Sequence, residues 1–213
     1  MNPKVNIKVF KASYGDSFLV ECESDEGKRN ILIDAGFVGT YRNEIKDFLK
    51  EMKQKGEILD NLIITHFDAD HISGALTLLK ENGNNGEVIQ IEEIWHNTLR
   101  HIINESERVE EDLGYIDKKT LEEICNEGFD EEEETEDSDN SVEGEIGAEQ
   151  GSALGAWILK GDYSWNESVG GAFTPVSTDS TSIDGVDIGN GVTLKILSPD
   201  RNKLDKLIMR IKS

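Results

Sequence analysis

Basic side chains are in short supply: 22 lysines and arginines stand against 44 aspartates and glutamates, a formal net charge of -22. A broad electrostatic grip on nucleic acid rests on clustered Lys and Arg, so this balance argues against one. Much of the excess is local. Residues 127–149 hold twelve acidic side chains and no basic one, which leaves the rest of the chain at -10. An anionic substrate would therefore have to be held by metal. Cysteine is nearly absent as well. Cys22 and Cys125 are far apart and in no Cys-x-x-Cys pattern, which speaks against a disulfide framework or a zinc knuckle. Long apolar runs are missing too: the start, Met1-Asn2-Pro3-Lys4-Val5-Asn6-Ile7, lacks a signal-peptide core, and no stretch approaches bilayer-spanning length. A cytoplasmic protein with no membrane role is expected.

What is present is a run of strand and helix signals. Val5, Ile7 and Val9 alternate with polar residues, Tyr14-Gly15-Asp16 turns the chain, and Phe18, Val20 and Cys22 alternate again, which predicts a hairpin. Ile31-Leu32-Ile33 is a third strand ending at Asp34-Ala35-Gly36. Asn43 is placed to cap a helix with the stripe Ile45, Phe48, Leu49, Met52, and Gly56 suits its end. Leu62-Ile63-Ile64 reads as a buried strand, and Ile72, Leu76 and Leu79 follow at helical spacing up to the breaker Asn82-Gly83-Asn84-Asn85-Gly86. Val88, Ile89, Ile91 and Ile94 predict a further strand, and residues 98–126 two polar helices. The acidic stretch 127–149 cannot bury apolar surface and is expected to be a disordered insertion. Order is expected to resume with a short helix carrying Leu154, Trp157, Ile158 and Leu159, a strand through Val192, Leu194 and Ile196, and a last helix with Leu204, Leu207, Ile208 and Ile211. The alternation of strand and helix is that of an α/β fold.

The densest chemistry is Thr65-His66-Phe67-Asp68-Ala69-Asp70-His71-Ile72-Ser73-Gly74, on the predicted strand-to-helix turn. Imidazole suits zinc, iron or manganese; carboxylate is harder and can bridge two metals. Residues two apart on an extended turn point the same way. His66 and Asp68 can thus hold one ion while Asp70 and His71 reach a second, a pair suited to hydrolysing a phosphodiester or an acyl bond.

The spacing His66-x-Asp68-x-Asp70-His71 resembles the His-x-His-x-Asp-His signature of the metallo-β-lactamase fold superfamily, with aspartate where histidine usually stands. Ile31-Leu32-Ile33-Asp34-Ala35-Gly36 is similar to the family's first motif. Ser13-Tyr14-Gly15-Asp16-Ser17, Gln150-Gly151 with Trp165-Asn166, and Leu197-Ser198-Pro199 resemble the competence-type (ComEC-like) and anti-phage-associated branch. The resemblance implies an αββα sandwich and a nuclease-like hydrolase within an anti-phage defence system. It implies metal ligation by His66, Asp68, Asp70 and His71, with Asp70 also orienting the water, and one or two divalent ions, zinc or manganese. Asp34 would support the metal loop from behind. Asp16 is a weaker candidate for the same role, with local turn chemistry as its alternative, and His96, after a strand end, is a candidate for the site rim.

Family members continue past the Ser-Pro strand to a Gly-Asp motif and a late histidine, which this chain does not show before Ser213. The expected organisation is accordingly a first half with the metal motif over 1–126, the acidic insertion over 127–149, and a continuation of the same domain over 150–213. A partner chain or a missing second half is expected to complete the sandwich, and the rival to an enzyme is a degenerate subunit acting as scaffold or regulator. Nucleic acid remains possible as substrate. The carboxylate of Asp68 predicts readier use of manganese than an all-imidazole site would show. Metal-exchange assays should therefore find activity with manganese as well as zinc, and strict zinc dependence would contradict the expectation.

Overall fold

The computed structural model describes residues 4–12, 14–66, 68–98, 101, 153–171 and 173–211, with backbone alone over 207–211. Strands β1 (Lys4–Val9), β2 (Phe18–Ser24), β3 (Gly27–Ile33), β4 (Leu59–Ile63), β5 (Ile91–Trp95) and β6 (Ser164–Trp165) form one six-stranded sheet in sequence order. The first three are antiparallel, and β3, β4, β5 and β6 run parallel. The β3–β4 connection is a helix, α1, made of Val38–Thr40, a π-helical turn Tyr41–Ile45, and Lys46–Gln54. The β4–β5 connection is α2 (Ala69–Asn82), and the helix over 153–160, α3, leads into β6. Parallel crossovers are right-handed, so strands laid down in one direction send their helices to one face of the sheet.

That face holds the main core. Register aligns Leu19, Leu32, Leu62, Ile94 and Trp165 across β2 to β6 in one row, each no more than 2% exposed. They pack on Leu49 and Met52 of α1, Ile72 and Leu79 of α2, and Leu154 and Ile158 of α3. Each fully buried aliphatic side chain contributes about 1.5–3 kcal/mol. The opposite face is covered unevenly. Ile63 and Trp95 pack beneath Val169, Val186, Ile188 and Leu194, where β7 (Val186–Asp187) pairs with β8 (Thr193–Leu194). Val5, Ile7 and Val9 point to the same side from β1 and stay 59–66% exposed. The chain closes with α4 (Arg201–Ile211), anchored by buried Leu204.

Three predicted boundaries move, for local reasons. The first helix begins at Val38, not at Asn43, which lies inside the π-helical turn. Tyr41 is fully buried one turn ahead of Ile45, and its hydroxyl donates to Glu81, so the apolar stripe starts earlier than the sequence suggested. Strand β5 starts at Ile91, not at Val88, because the N–H groups of Val88 and Ile89 both donate to the Asn82 side chain at 2.9 Å. The strand expected through Val192 to Ile196 shortens to Thr193–Leu194, and Leu159 of α3 is exposed. The predicted helices of 98–126 and the acidic stretch 127–149 fall outside the described residues, apart from Thr98 and His101.

Helix α2 meets the end of β3 without room for a side chain. Gly74 N–H donates to Gly36 O at 2.8 Å, and a Cβ on Gly74 would stand 2.1 Å from Ala35 O. The residues that clash are backbone and cannot swing away. Gly74→Ala is expected to cost about 1–3 kcal/mol of unfolding free energy, the usual range for overpacking. Urea denaturation checks this, and a variant as stable as the parent would show that α2 does not sit this close to the turn.

Candidate metal centre

Parallel strands deliver their carboxyl ends to one edge, where open α/β sheets collect their chemistry. Here β3 leads to Asp34, β4 to Thr65 and His66, β5 to His96 and β6 to Asn166. Inter-strand bonds hold these ends level: Asp34 N–H donates to Ile63 O at 2.8 Å, Ile64 N–H to Trp95 O at 2.9 Å, and Asn166 N–H to Ile94 O at 3.1 Å. Asp68 is the extended residue ahead of α2, and Asp70 and His71 occupy the helix's first turn. Backbone bonds then tie this turn to the neighbouring strand end, with His71 O accepting from Ala35 N–H.

Asp34 is the centre of the hydrogen bonding. It adopts φ 54°, a left-handed conformation uncommon outside glycine, which turns its carboxylate back across the strand ends. Ser17, buried at the hairpin, donates its hydroxyl to Asp34 O at 2.9 Å. The carboxylate, itself 2% exposed, receives Thr65 N–H on Oδ1 at 2.8 Å and the Thr65 hydroxyl on Oδ2 at 2.6 Å. His71 Nδ1 lies 3.0 Å from the same Oδ2. A carboxylate only accepts, so the ring nitrogen donates, which leaves Nε2 of the neutral His71 ring with a lone pair. A histidine oriented in this way by a carboxylate is the usual support for a metal-binding imidazole.

Of the residues expected at the site, His66, Asp68, Asp70, His71 and Asp34 come together. The rings of His66 and His71 lie 3.8 Å apart between centroids. Asp68 Oδ2 is 3.5 Å from His66 Nε2, and Asp70 Oδ2 is 3.6 Å from His71 Nε2. One ligand atom from each of Asp34, His66 and His71 also falls within a common 4.8 Å. A lone pair on His71 Nε2 facing the Asp70 carboxylate is an arrangement of two acceptors, which repel unless a proton or a cation stands between them. Imidazole and carboxylate donors are thus brought to one place, a mix of the kind that suits a divalent transition metal; the three that converge most closely are Asp34, His66 and His71, with Asp68 and Asp70 each beside one imidazole. The mouth is open to solvent: the side chains of His66 and Asp68 are 41% and 73% exposed.

Two candidates lie apart. Asp16 is exposed, and among the described residues no hydrogen bond or ion pair joins it to the cluster. His96 is 1% exposed, so it belongs to the interior and not to a solvent-facing rim. Its backbone N–H donates to Asn166 Oδ1 at 3.1 Å, and its carbonyl accepts from Trp165 Nε1 at 2.9 Å and from Asn166 Nδ2 at 3.1 Å. That network ties the ends of β5 and β6 together. Sequence reasoning assigned no part to Ser17 or Thr65, whose hydroxyls are the direct partners of Asp34. Gly15, at φ 72°, brings the hairpin tip so close that a Cβ there would stand 1.9 Å from Asp70 O. A turn containing Gly-Asp-Ser ahead of a strand was the available signal, but not what it would touch.

The comparisons agree with this geometry. Two relatives, the "Exodeoxyribonuclease WalJ" of Streptococcus pneumoniae serotype 2 (strain D39 / NCTC 7466) and that of strain ATCC BAA-255 / R6, are each 38% identical over 71 residues. The match covers 33% of this chain and 24% of each relative, so it spans about a quarter of the length of those curated proteins. No solved structure matches the chain. The model of the Metallo-beta-lactamase superfamily matches residues 11–151, more than half of the sequence, and takes in the hairpin's turn and β2, the Asp34 turn and the whole His66–His71 motif. With those elements assembled around one cluster of donors, the chain belongs to the metallo-beta-lactamase superfamily.

Proposed function

We propose that the chain is a metal-dependent phosphodiesterase acting on nucleic acid in the cytoplasm, with His66, Asp68, Asp70 and His71 as the ligands. The observation that carries this reading is the orientation of His71 by Asp34, which turns Nε2 towards Asp70 at the open mouth of the site. A bound divalent cation would supply a Lewis acid and lower the pKa of a coordinated water towards neutrality. Asp70 Oδ2, on the first turn of α2, is the group positioned to accept a proton from the attacking water. Asp34 is committed to three donors and stays out of the reaction. Its part is to hold the imidazoles still.

The choice of a phosphodiester has two supports. The matched relatives are named exodeoxyribonucleases, and the carboxylate at Asp68 favours the harder ions that bind phosphate oxygens. The net charge of -22 argues against a broad electrostatic grip on a long duplex, which favours recognition of a strand end at the centre itself. The wider setting, an anti-phage assembly, has the resemblance of the Ser13–Ser17 and Ser198-Pro199 segments as its support.

A second reading, a scaffold or regulatory subunit completed by a partner chain, is favoured by the exposed row Val5, Ile7 and Val9. Contiguous apolar surface of this kind marks an interface more often than a free face. The two readings part on one double variant. Phosphodiester hydrolysis is assayed with end-labelled single- and double-stranded DNA and with bis(p-nitrophenyl) phosphate, in manganese and in zinc. His66→Ala with Asp70→Ala should lower the rate about 100-fold or more, the scale of losing a positioned proton acceptor. Hydrolysis unchanged in that variant would remove the cluster from the reaction. Full partner binding or phenotype without either side chain would favour the scaffold.

A further inference from the structure

Thr65 is exposed and stands in front of the first histidine, yet its hydroxyl lies between the two groups that matter most to that ring. Oγ1 is 2.6 Å from Asp34 Oδ2 and 2.7 Å from His66 Nδ1. A hydroxyl has one hydrogen to give. The Asp34 carboxylate has none, so the Thr65 O–H must point at Oδ2. Oγ1 can then meet His66 only as an acceptor, and His66 Nδ1 must carry the proton. We propose that Thr65 is a positioning residue that relays the orientation of Asp34 to His66, holding the imidazole as the Nδ1–H tautomer with its Nε2 lone pair towards Asp68.

One buried carboxylate would then set both histidines. His71 is set directly, by its bond to Asp34 Oδ2, and His66 through one hydroxyl. Both Nε2 atoms consequently face the mouth as lone pairs, opposite the Asp68 and Asp70 carboxylates. The relay is held from both ends. Thr65 N–H donates to Asp34 Oδ1, which pins the threonine backbone, and Ser17 and Ile63 hold the carbonyl and N–H of Asp34. Without the hydroxyl no other hydrogen bond among the described residues would hold a proton on His66 Nδ1, and the Nε2–H form, the commoner one in a free histidine side chain, would place a proton where the metal must bind.

The inference rests on the metal-centre reading above and deepens it. Its test uses the full chain labelled with nitrogen-15, free of metal, at about pH 8.5, where an ordinary imidazole is neutral. Ring-nitrogen shifts report which nitrogen bears the proton. Parent and Thr65→Ser should show His66 protonated on Nδ1, whereas Thr65→Val, equal in size and lacking the hydroxyl, should move the proton to Nε2. His71 should keep its Nδ1 proton throughout. Zinc affinity by chelator competition should fall about tenfold in Thr65→Val and stay near the parent in Thr65→Ser, the lower end of the range for losing a group that orients a ligand. Thr65→Ala serves as the second hydroxyl-free variant, and circular dichroism establishes that each is folded. A folded Thr65→Val or Thr65→Ala that keeps the Nδ1 proton on His66 would overturn the relay, as would a Thr65→Ser that loses it. A parent chain that takes up no metal would count against the hydrolase reading, while the shifts, read without metal, would still decide the relay.

Discussion

The Asp34 carboxylate, buried at the end of β3, takes hydrogen bonds from the Thr65 backbone, the Thr65 hydroxyl and the His71 ring. Burying an acidic group is costly unless its oxygens are matched by donors. Here the donors come from the loop after β4 and from the first turn of α2, so satisfying one carboxylate also locks together the segments that carry the candidate ligands. The left-handed φ of Asp34 is a further local cost, accepted because it aims the side chain across the strand ends. Gly74 and Gly15 belong to the same constraint. One lets α2 close on the Ala35–Gly36 backbone, and the other lets the hairpin tip reach Asp70.

The topology explains why this edge and not another carries the chemistry. Strands β3 to β6 run parallel in sequence order, which puts α1, α2 and α3 on one face and leaves the carboxyl ends of the strands side by side. The helix face is a continuous core from Leu19 to Trp165. Among the described residues the other face is packed where residues 169–196 reach it, above Ile63 and Trp95, and gives way to exposed valine and isoleucine on β1. Stability and the candidate site thus draw mainly on the helix-covered half of the sheet.

The candidate motif was legible because its residues are neighbours in sequence, and a hydrophobic strand before them with helical spacing after them defines the turn they stand on. The end of β3 at Asp34 was legible for the same reason. What could not be read were contacts closed by the fold. Nothing in the spacing tells where the Thr65 hydroxyl points, and an asparagine at position 82 gives no sign that it will take the N–H groups of Val88 and Ile89 from a strand that their side chains favour. Tyr41 hid the true start of α1, since a large side chain with a polar tip can belong to either face until its partner, Glu81, is known. His96 followed a strand end as expected, but alternation cannot say that its ring would be buried.

The cluster offers a cation two sets of donors, Asp34 with one atom from each imidazole within a common 4.8 Å, or Asp68 and Asp70 with the Nε2 atoms of His66 and His71. Anomalous X-ray scattering from crystals of the chain grown with manganese or zinc separates them. An ion bonded to Nε2 of both His66 and His71, with Asp34 behind the rings and unbound, is the expected result. An ion bonded to Asp34, or no ion at the cluster in crystals that hold the metal elsewhere, would contradict the role given to that carboxylate.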